Sequence, residues 1–488
     1  MSEKPILLGS STTTPIDNKR RKEVTLPGPK SKDFVLTARC RIINVGKRIG
    51  ITASDLPGES GGIYSWSTSS PHIRLANGTG PTVAVEGLSV GTGRDSETIV
   101  CTRRGNDGSI TTKTVLITVA RVTFVATTAQ NFGFDDFDTP QDHTDNHVSI
   151  GSGAETFVGV KIEGGAVGTD FTFTCDDIAV CTVANPAGSE NFDLSIRAGR
   201  WQKAATPLRA KINCPSSDIF ASISLHVYNE AVVKVLIAKV ADSRSAKTTL
   251  KYGTADYAGH QSTANVKLKE AVVRYTLKNF ETTNAVTNVA FDNDNNGVLS
   301  FDINAGGGAE FEMIKSAVPV DTDWQRVVIV RKMRSFYYLA RPARKGDTSV
   351  EVRGLNVFFA EMPLGKGLTQ EKVEVVSNVG PIGQLASPLM FDHAVGEILE
   401  FPAAGWSSDP IIIAEGDDTL DVAKWTILHE VGHTALDLKD IVDPTDFMHF
   451  EQSNTDYRLR YCPRKNNYGP GKENQWETIP REPIEKKR

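Results

Sequence analysis

The run Asp418-Thr-Leu-Asp-Val-Ala-Lys-Trp-Thr-Ile-Leu-His429-Glu-Val-Gly-His433-Thr-Ala-Leu436 decides the reading of this chain. Asp417, Asp418 and Thr419 supply N-cap chemistry, and Asp421 stands three residues after Asp418 as in a capping box. With Ile427, Leu428, Val431 and Ala435 as an apolar face, the pattern predicts a helix. On it His429 and His433 are four residues apart and project from one side. Two imidazoles so placed can hold a Zn²⁺ ion, and Glu430 beside them can act as general base toward a water on the metal. The plainer alternative is a core helix that happens to carry two histidines.

Two histidines do not complete a zinc site, and Asp437, Asp440, Asp443 and His449 are the nearby candidates for a third ligand. The stretch from His433 to His449 resembles the metzincin clan of zinc metallopeptidases, whose longer motif is HExxHxxGxxH or HExxHxxGxxD with a methionine turn beneath the metal. In strict register the glycine falls at Leu436 and the third ligand at Lys439, which cannot ligate. One inserted residue moves these positions to Asp437 and Asp440, and Asp tolerates the left-handed backbone better than most non-glycine residues. The resemblance therefore implies His429, His433 and Asp440 as ligands of one Zn²⁺ per chain, Glu430 as catalytic base and Met448 as the turn residue. His449 or Tyr457 would stabilise the oxyanion. The rival is a gluzincin-like site with a glutamate as third ligand, but Glu451, Glu473, Glu477, Glu482 and Glu485 sit in no long helical pattern. Either way, the implied reaction is hydrolysis of a protein or peptide substrate, the metal lowering the pKa of its water.

The 488 residues suffice for about three domains. A net charge of -5 with both signs dispersed offers no basic face for nucleic acid, and the clusters Lys19 to Lys22 and Lys486 to Arg488 lie at the ends. No apolar run is long enough to predict a membrane span. Residues 1–32, rich in Ser, Thr, Pro and Lys, read as a flexible leader without the apolar core of a secretory signal.

Residues 33–122 and 123–229 read as two β-sandwiches, with short alternating runs between turn clusters and a hairpin turn at Asn106-Asp-Gly108. Tyr64-Ser-Trp-Ser-Thr and Gly80-Pro-Thr-Val-Ala-Val-Glu-Gly-Leu resemble a bacterial immunoglobulin-like module. That resemblance implies that Cys40 and Cys101 face each other with Trp66 packed on them; two buried thiols are the alternative. Cys175, Cys181 and Cys214 are an odd set in which at most one pair can close. The acidic stretch Asp135 to Asp145, with His143 and His147, reads as a loop or a cation site.

Residues 230–488 read as an α+β zincin domain, so the expected fold class is two all-β immunoglobulin-like sandwiches followed by a catalytic domain. Its metzincin-like layout implies an antiparallel edge strand to which substrate adds, and Gly354 to Glu361 is the candidate. Asp292-Asn-Asp-Asn-Asn-Gly297 opens like an EF-hand loop but has Ile303 at the twelfth position. A hairpin turn through Asn296-Gly297 accounts for it as well.

The combination resembles peptidase toxins carried by contractile injection machines such as the type VI secretion system. It implies export by a nonclassical route, with a secretion spike and an immunity protein as partners. An intracellular peptidase, or a non-enzymatic immunoglobulin-like binding protein with a degenerate peptidase domain, are the alternatives.

Overall fold

The computed structural model describes residues 33–481 except 58–60, 136–145, 185–187, 203, 216–217, 243, 253–256, 258, 279–286, 303–306, 319, 321–322, 354–360, 404, 407–408, 417–418, 440–447, 449–458 and 460–474. The chain divides into two compact units, Met1–Tyr228 and Asn229–Arg488. No helix among the described residues is long and apolar enough to cross a membrane.

The first unit is all β. Strands Phe34–Ala38, Arg48–Asp55, Thr82–Gly87 and Ile73–Leu75 pair antiparallel in that order and face a second sheet containing Ile63–Thr68, Glu97–Arg104 and Ile110–Val125. The period-2 burial of Arg48–Asp55 and Glu97–Arg104 follows from their sequence alternation, one face packing inward. This is the strand order of an immunoglobulin-like sandwich. Ile42–Asn44 runs parallel to Ile110–Val125, and the second sandwich repeats the device with His147–Gly151 parallel to Ile219–Tyr228.

Ile110–Val125 is long enough to serve both sandwiches. Residues 110–117 pair antiparallel with Glu97–Arg104, and residues 121–125 pair with Glu155–Glu163. The strand therefore runs straight through residues 122 and 123. Gly165, at a φ of 81°, lies against the backbone of Gly93 and Arg94, where a side chain has no room. Arg94 clasps Asp170 at 2.9 and 3.0 Å.

The cysteines depart from the immunoglobulin-like expectation. Cys40 lies at the bend between Phe34–Ala38 and Ile42–Asn44, not on the strand that faces Cys101, and it is bonded to Cys214 with Cα atoms 5.6 Å apart. Cys175 pairs with Cys181. Cys101 is a buried thiol beside Trp66 in the adjoining strand, and burial pushes its pKa up to about 12.

The second unit is built on a mostly parallel sheet. We label its strands β1 (Ala231–Ala241), β2 (Val273–Leu277), β3 (Gln325–Val330), β4 (Gly405–Trp406) and β5 (Ile411–Ala414). Their spatial order is β2-β1-β3-β5-β4. The first four are mutually parallel, and β4 is the antiparallel edge. The all-buried run Ile411-Ile-Ile-Ala414 is what a strand covered on both faces requires. Helix α1 (His260–Leu268) connects β1 to β2, α2 (Ala309–Ala317) precedes β3, and α3 (Leu420–Leu436) follows β5.

Between β3 and β4 the chain builds most of a seven-stranded sheet, ordered Leu299–Asp302, Met333–Tyr338, Ile398–Ala403, Glu361–Leu364, Glu371–Val379, Ile382–Leu385, Ser349–Glu351. Tyr337, Val350, Met362, Leu364, Val375 and Leu399 form its core. Sequence patterning placed the edge strand at 354–361. Residues 354–360 lie outside the described residues, while Glu361 opens a strand of this other sheet. Among the described residues, the antiparallel edge of the parallel sheet is Gly405–Trp406.

Candidate metal centre

Helix α3 begins where its N-cap predicts. The Thr419 hydroxyl accepts from the Val422 amide at 3.4 Å, and seventeen residues follow without proline. Ala423, Trp425, Ile427, Leu428, Val431 and Leu436 are buried, so α3 is surrounded on most sides, as a helix packed under a sheet must be. Its end is set by Asp437, which takes the left-handed conformation (φ 56°, ψ 31°), and the Leu438 amide returns to the Gly432 carbonyl at 3.1 Å.

That reversal has a chemical effect. It brings the Leu438 carbonyl within 2.8 Å of His433 Nδ1, which must therefore carry the proton and donate it. The Nε2 of His433 is then left with its lone pair, as metal ligation requires. His433 Nε2 and His429 Nε2 lie 3.2 Å apart, their rings at 89° to each other. Two nitrogens each about 2.05 Å from a tetrahedral zinc would be separated by roughly 3.3 Å. The pair thus has the spacing of two ligands. His429 is buried and packs on Trp425 with ring centroids 4.9 Å apart, which limits its rotation. Glu430 is half-buried and lies against Gly405 of the edge strand.

Met448 is fully buried. Asp440, His449 and Tyr457 lie outside the described residues, as do Asp443 and Glu451. Glu415, fully buried between β5 and α3, accepts hydrogen bonds from the Lys251 and Tyr252 amides and the Tyr257 hydroxyl. Burial outweighs these bonds and raises its pKa. It ties Lys251, Tyr252 and Tyr257 to the approach of the helix.

A second cluster lies elsewhere in this unit. Ligand atoms of Asp292, Asp294 and Glu310 fall within 4.8 Å of one another. Asp292 accepts from the Asn296 amide at 3.0 Å and the Gly297 amide at 2.9 Å, closing the loop that resembles the start of an EF-hand. This loop is not a hairpin, because Thr287–Asn288 pairs with β1 while Leu299–Asp302 pairs with Met333–Tyr338. Glu310, on α2, brings a third carboxylate to this cluster, a placement that no local spacing signals. The Glu310 oxygens accept from the Asn293 and Ser300 amides, and Arg334 already places a cation 3.1 Å from Asp294.

No family model matches this chain, and no curated protein matches it. Solved structures similar to part of it include three N-terminal domains of the bacteriophage RB49 highly immunogenic outer capsid protein. That match has 13% identity and a TM-score of 0.19, covering 43% of this chain and 65% of that one. Fibronectin(III)-like modules of Clostridium thermocellum CbhA match at 12% identity over 40% of this chain and 93% of theirs, with a TM-score of 0.19. The N-terminal immunoglobulin module of the Drosophila receptor tyrosine phosphatase DLAR gives 11%, 39%, 95% and 0.15 respectively. Scores this low carry no argument, and the immunoglobulin-like assignment rests on the strand order and register of the first unit itself.

Proposed function

We propose that the second unit is a zinc-dependent endopeptidase. The observation that carries this reading is the convergence of His429 Nε2 and His433 Nε2 at 3.2 Å, with the His433 tautomer fixed by the Leu438 carbonyl. The antiparallel edge strand β4 lying against α3, the left-handed Asp437 and the buried Met448 support it. When bound, zinc would supply Lewis acidity toward a water and a peptide carbonyl. His429, His433 and Asp440 would hold it.

The work of this chain's own residues is proton transfer and positioning. Glu430 takes the proton from the attacking water and delivers it to the departing amine, which must leave neutral. The edge of β4 aligns an extended peptide by main-chain hydrogen bonds, leaving selectivity to side-chain pockets.

The two disulfides of the first unit support action in an oxidising compartment, in keeping with an exported effector. Delivery by an injection machine, with a spike and an immunity protein as partners, is part of the same proposal.

The test is metal analysis and peptide hydrolysis on the full chain and its Glu430→Gln variant. About one zinc per chain in both, with hydrolysis only in the parent, is the expected result. Absence of zinc after loading overturns the reading. An active Gln variant reassigns the base.

A further inference from the structure

Gly405 opens the edge strand β4, paired with Ile413 of β5. Its backbone is in no conformation that demands glycine, so the residue is explained by space. A Cβ built there would stand 2.6 Å from Glu430 Oε1, 2.8 Å from Glu430 Cγ and 2.9 Å from Thr426 Cγ2. All three separations are shorter than carbon tolerates without displacement. Thr426 and Glu430 are four residues apart on α3 and share one face, so β4 runs over the row they form. Thr426 cannot yield easily, because its hydroxyl donates to the Val422 carbonyl at 2.9 Å and its side chain is largely buried. Glu430 is the group that must move.

We propose that Gly405 is a positioning residue for Glu430: the missing side chain lets the edge strand close on α3 and seat the glutamate between them. The inference rests on the zinc-peptidase reading for its functional meaning, and on the Gly405–Glu430 contact for its geometry. The two shortest of the clashes of a methyl at 405 are with Glu430, so the methyl pushes the carboxylate aside. A displacement of about 1 Å in a reacting group costs on the order of 100-fold in rate. The base is therefore held in place partly by a residue on the strand that receives substrate.

Two measurements on the full chain test this. In the first, Gly405→Ala keeps its zinc and a near-normal KM for a peptide substrate, while kcat falls on the order of 100-fold. A purely structural glycine would not lower kcat while leaving zinc content and KM in place. An unchanged kcat overturns the proposal.

The second needs no activity. Thermal unfolding is compared in the parent, Gly405→Ala, Glu430→Ala and the double variant. Gly405→Ala lowers the midpoint by about 3–6 °C where Glu430 is present, and by less than about half as much where it is alanine. Equal losses in both backgrounds mean that Thr426 or the backbone bears the clash, and the proposal falls even if the enzyme is active. Coupling found in a protein that neither binds zinc nor cleaves peptides overturns the peptidase reading, and with it the role of Gly405, leaving only a packing contact.

Discussion

Two histidine pairs in this molecule make nearly the same contact and differ in what surrounds them. In the second sandwich His147 Nδ1 meets His226 Nε2 at 2.9 Å, and in α3 His433 Nε2 meets His429 Nε2 at 3.2 Å. The first pair sits on neighbouring parallel strands, with the His226 ring stacked on Tyr228. Its contact runs from Nδ1 of one ring to Nε2 of the other. In the second pair a backbone carbonyl occupies the opposite nitrogen of His433, both Nε2 atoms converge, and a glutamate stands between the two in sequence. The two pairs thus differ in what stands beside each ring: His147 lies opposite the buried Asp135 in the strand ladder, whereas His433 Nδ1 is held by the Leu438 carbonyl.

The sharpest test of that contrast is His433→Ala set against His226→Phe. The first should lower zinc affinity on the order of 1,000-fold or more in a competitive chelator titration, by removing a ligand. The second should leave zinc content untouched. Equal losses would move the metal to the sandwich.

Asp440→Ala comes next, since it removes the proposed third ligand and should weaken zinc by on the order of 100-fold or more in the same titration. Parent-like affinity would send the search for the third ligand to His449 or a downstream glutamate.

A covalent tie also distinguishes the region of the first pair. Cys40→Ser should destabilise the first unit by about 2–5 kcal/mol in denaturant unfolding, because the Cys40–Cys214 bond closes a loop with a sequence separation of 174. Zinc binding should not change.

A third histidine gives a subtler effect. His393, in the segment before Ile398–Ala403, has a wholly buried side chain, with Glu371 and Glu397 each 2.7 Å from one ring nitrogen. Burial pushes its pKa down, but the two carboxylates outweigh it and the net direction is up. Burial pushes Glu371 up, yet the Met390 amide, the His393 ring and the Phe391 amide hold it below its usual value. For Glu397 burial is likewise outweighed by the Ala394 amide and His393. The glutamate contribution is therefore present above their unfolded pKa and lost as pH falls. The histidine contribution is present below its unfolded pKa and lost as pH rises. Both are whole between about pH 5 and 6. Unfolding midpoints measured against pH should peak there and flatten in His393→Gln, whereas a parallel curve would deny the triad its role.

The smallest effect is at the helix end. Asp437→Gly should raise stability by about 0.4–1 kcal/mol in denaturant unfolding, since glycine takes the left-handed conformation without a Cβ penalty. A loss would show that the Asp437 side chain itself supports the turn.

These contrasts also show what the sequence could disclose. His429 and His433 were legible because a helix converts a spacing of four into proximity, and Thr419 and Asp437 marked the helix ends by local chemistry. His147 and His226 are 79 residues apart, joined only by strand pairing. Nothing local announces them. The sandwiches were visible as alternating strands, but the partner of Cys40 was not. It depends on a bend after Ala38 that places the cysteine off the strand facing Cys101. The candidate edge strand at 354–361 lies, up to residue 360, outside the described residues, and Gly405–Trp406 is two residues long, too short for any periodicity to announce it. Glu310 escaped because its partners lie in a loop distant in sequence.

Ile110–Val125 has a mechanical consequence. A strand hydrogen-bonded along one half to one sandwich and along the other half to the next is a splice, not a tether. The first unit has no hinge at that junction, and tension applied to it would load both sandwiches together, in shear along the ladder.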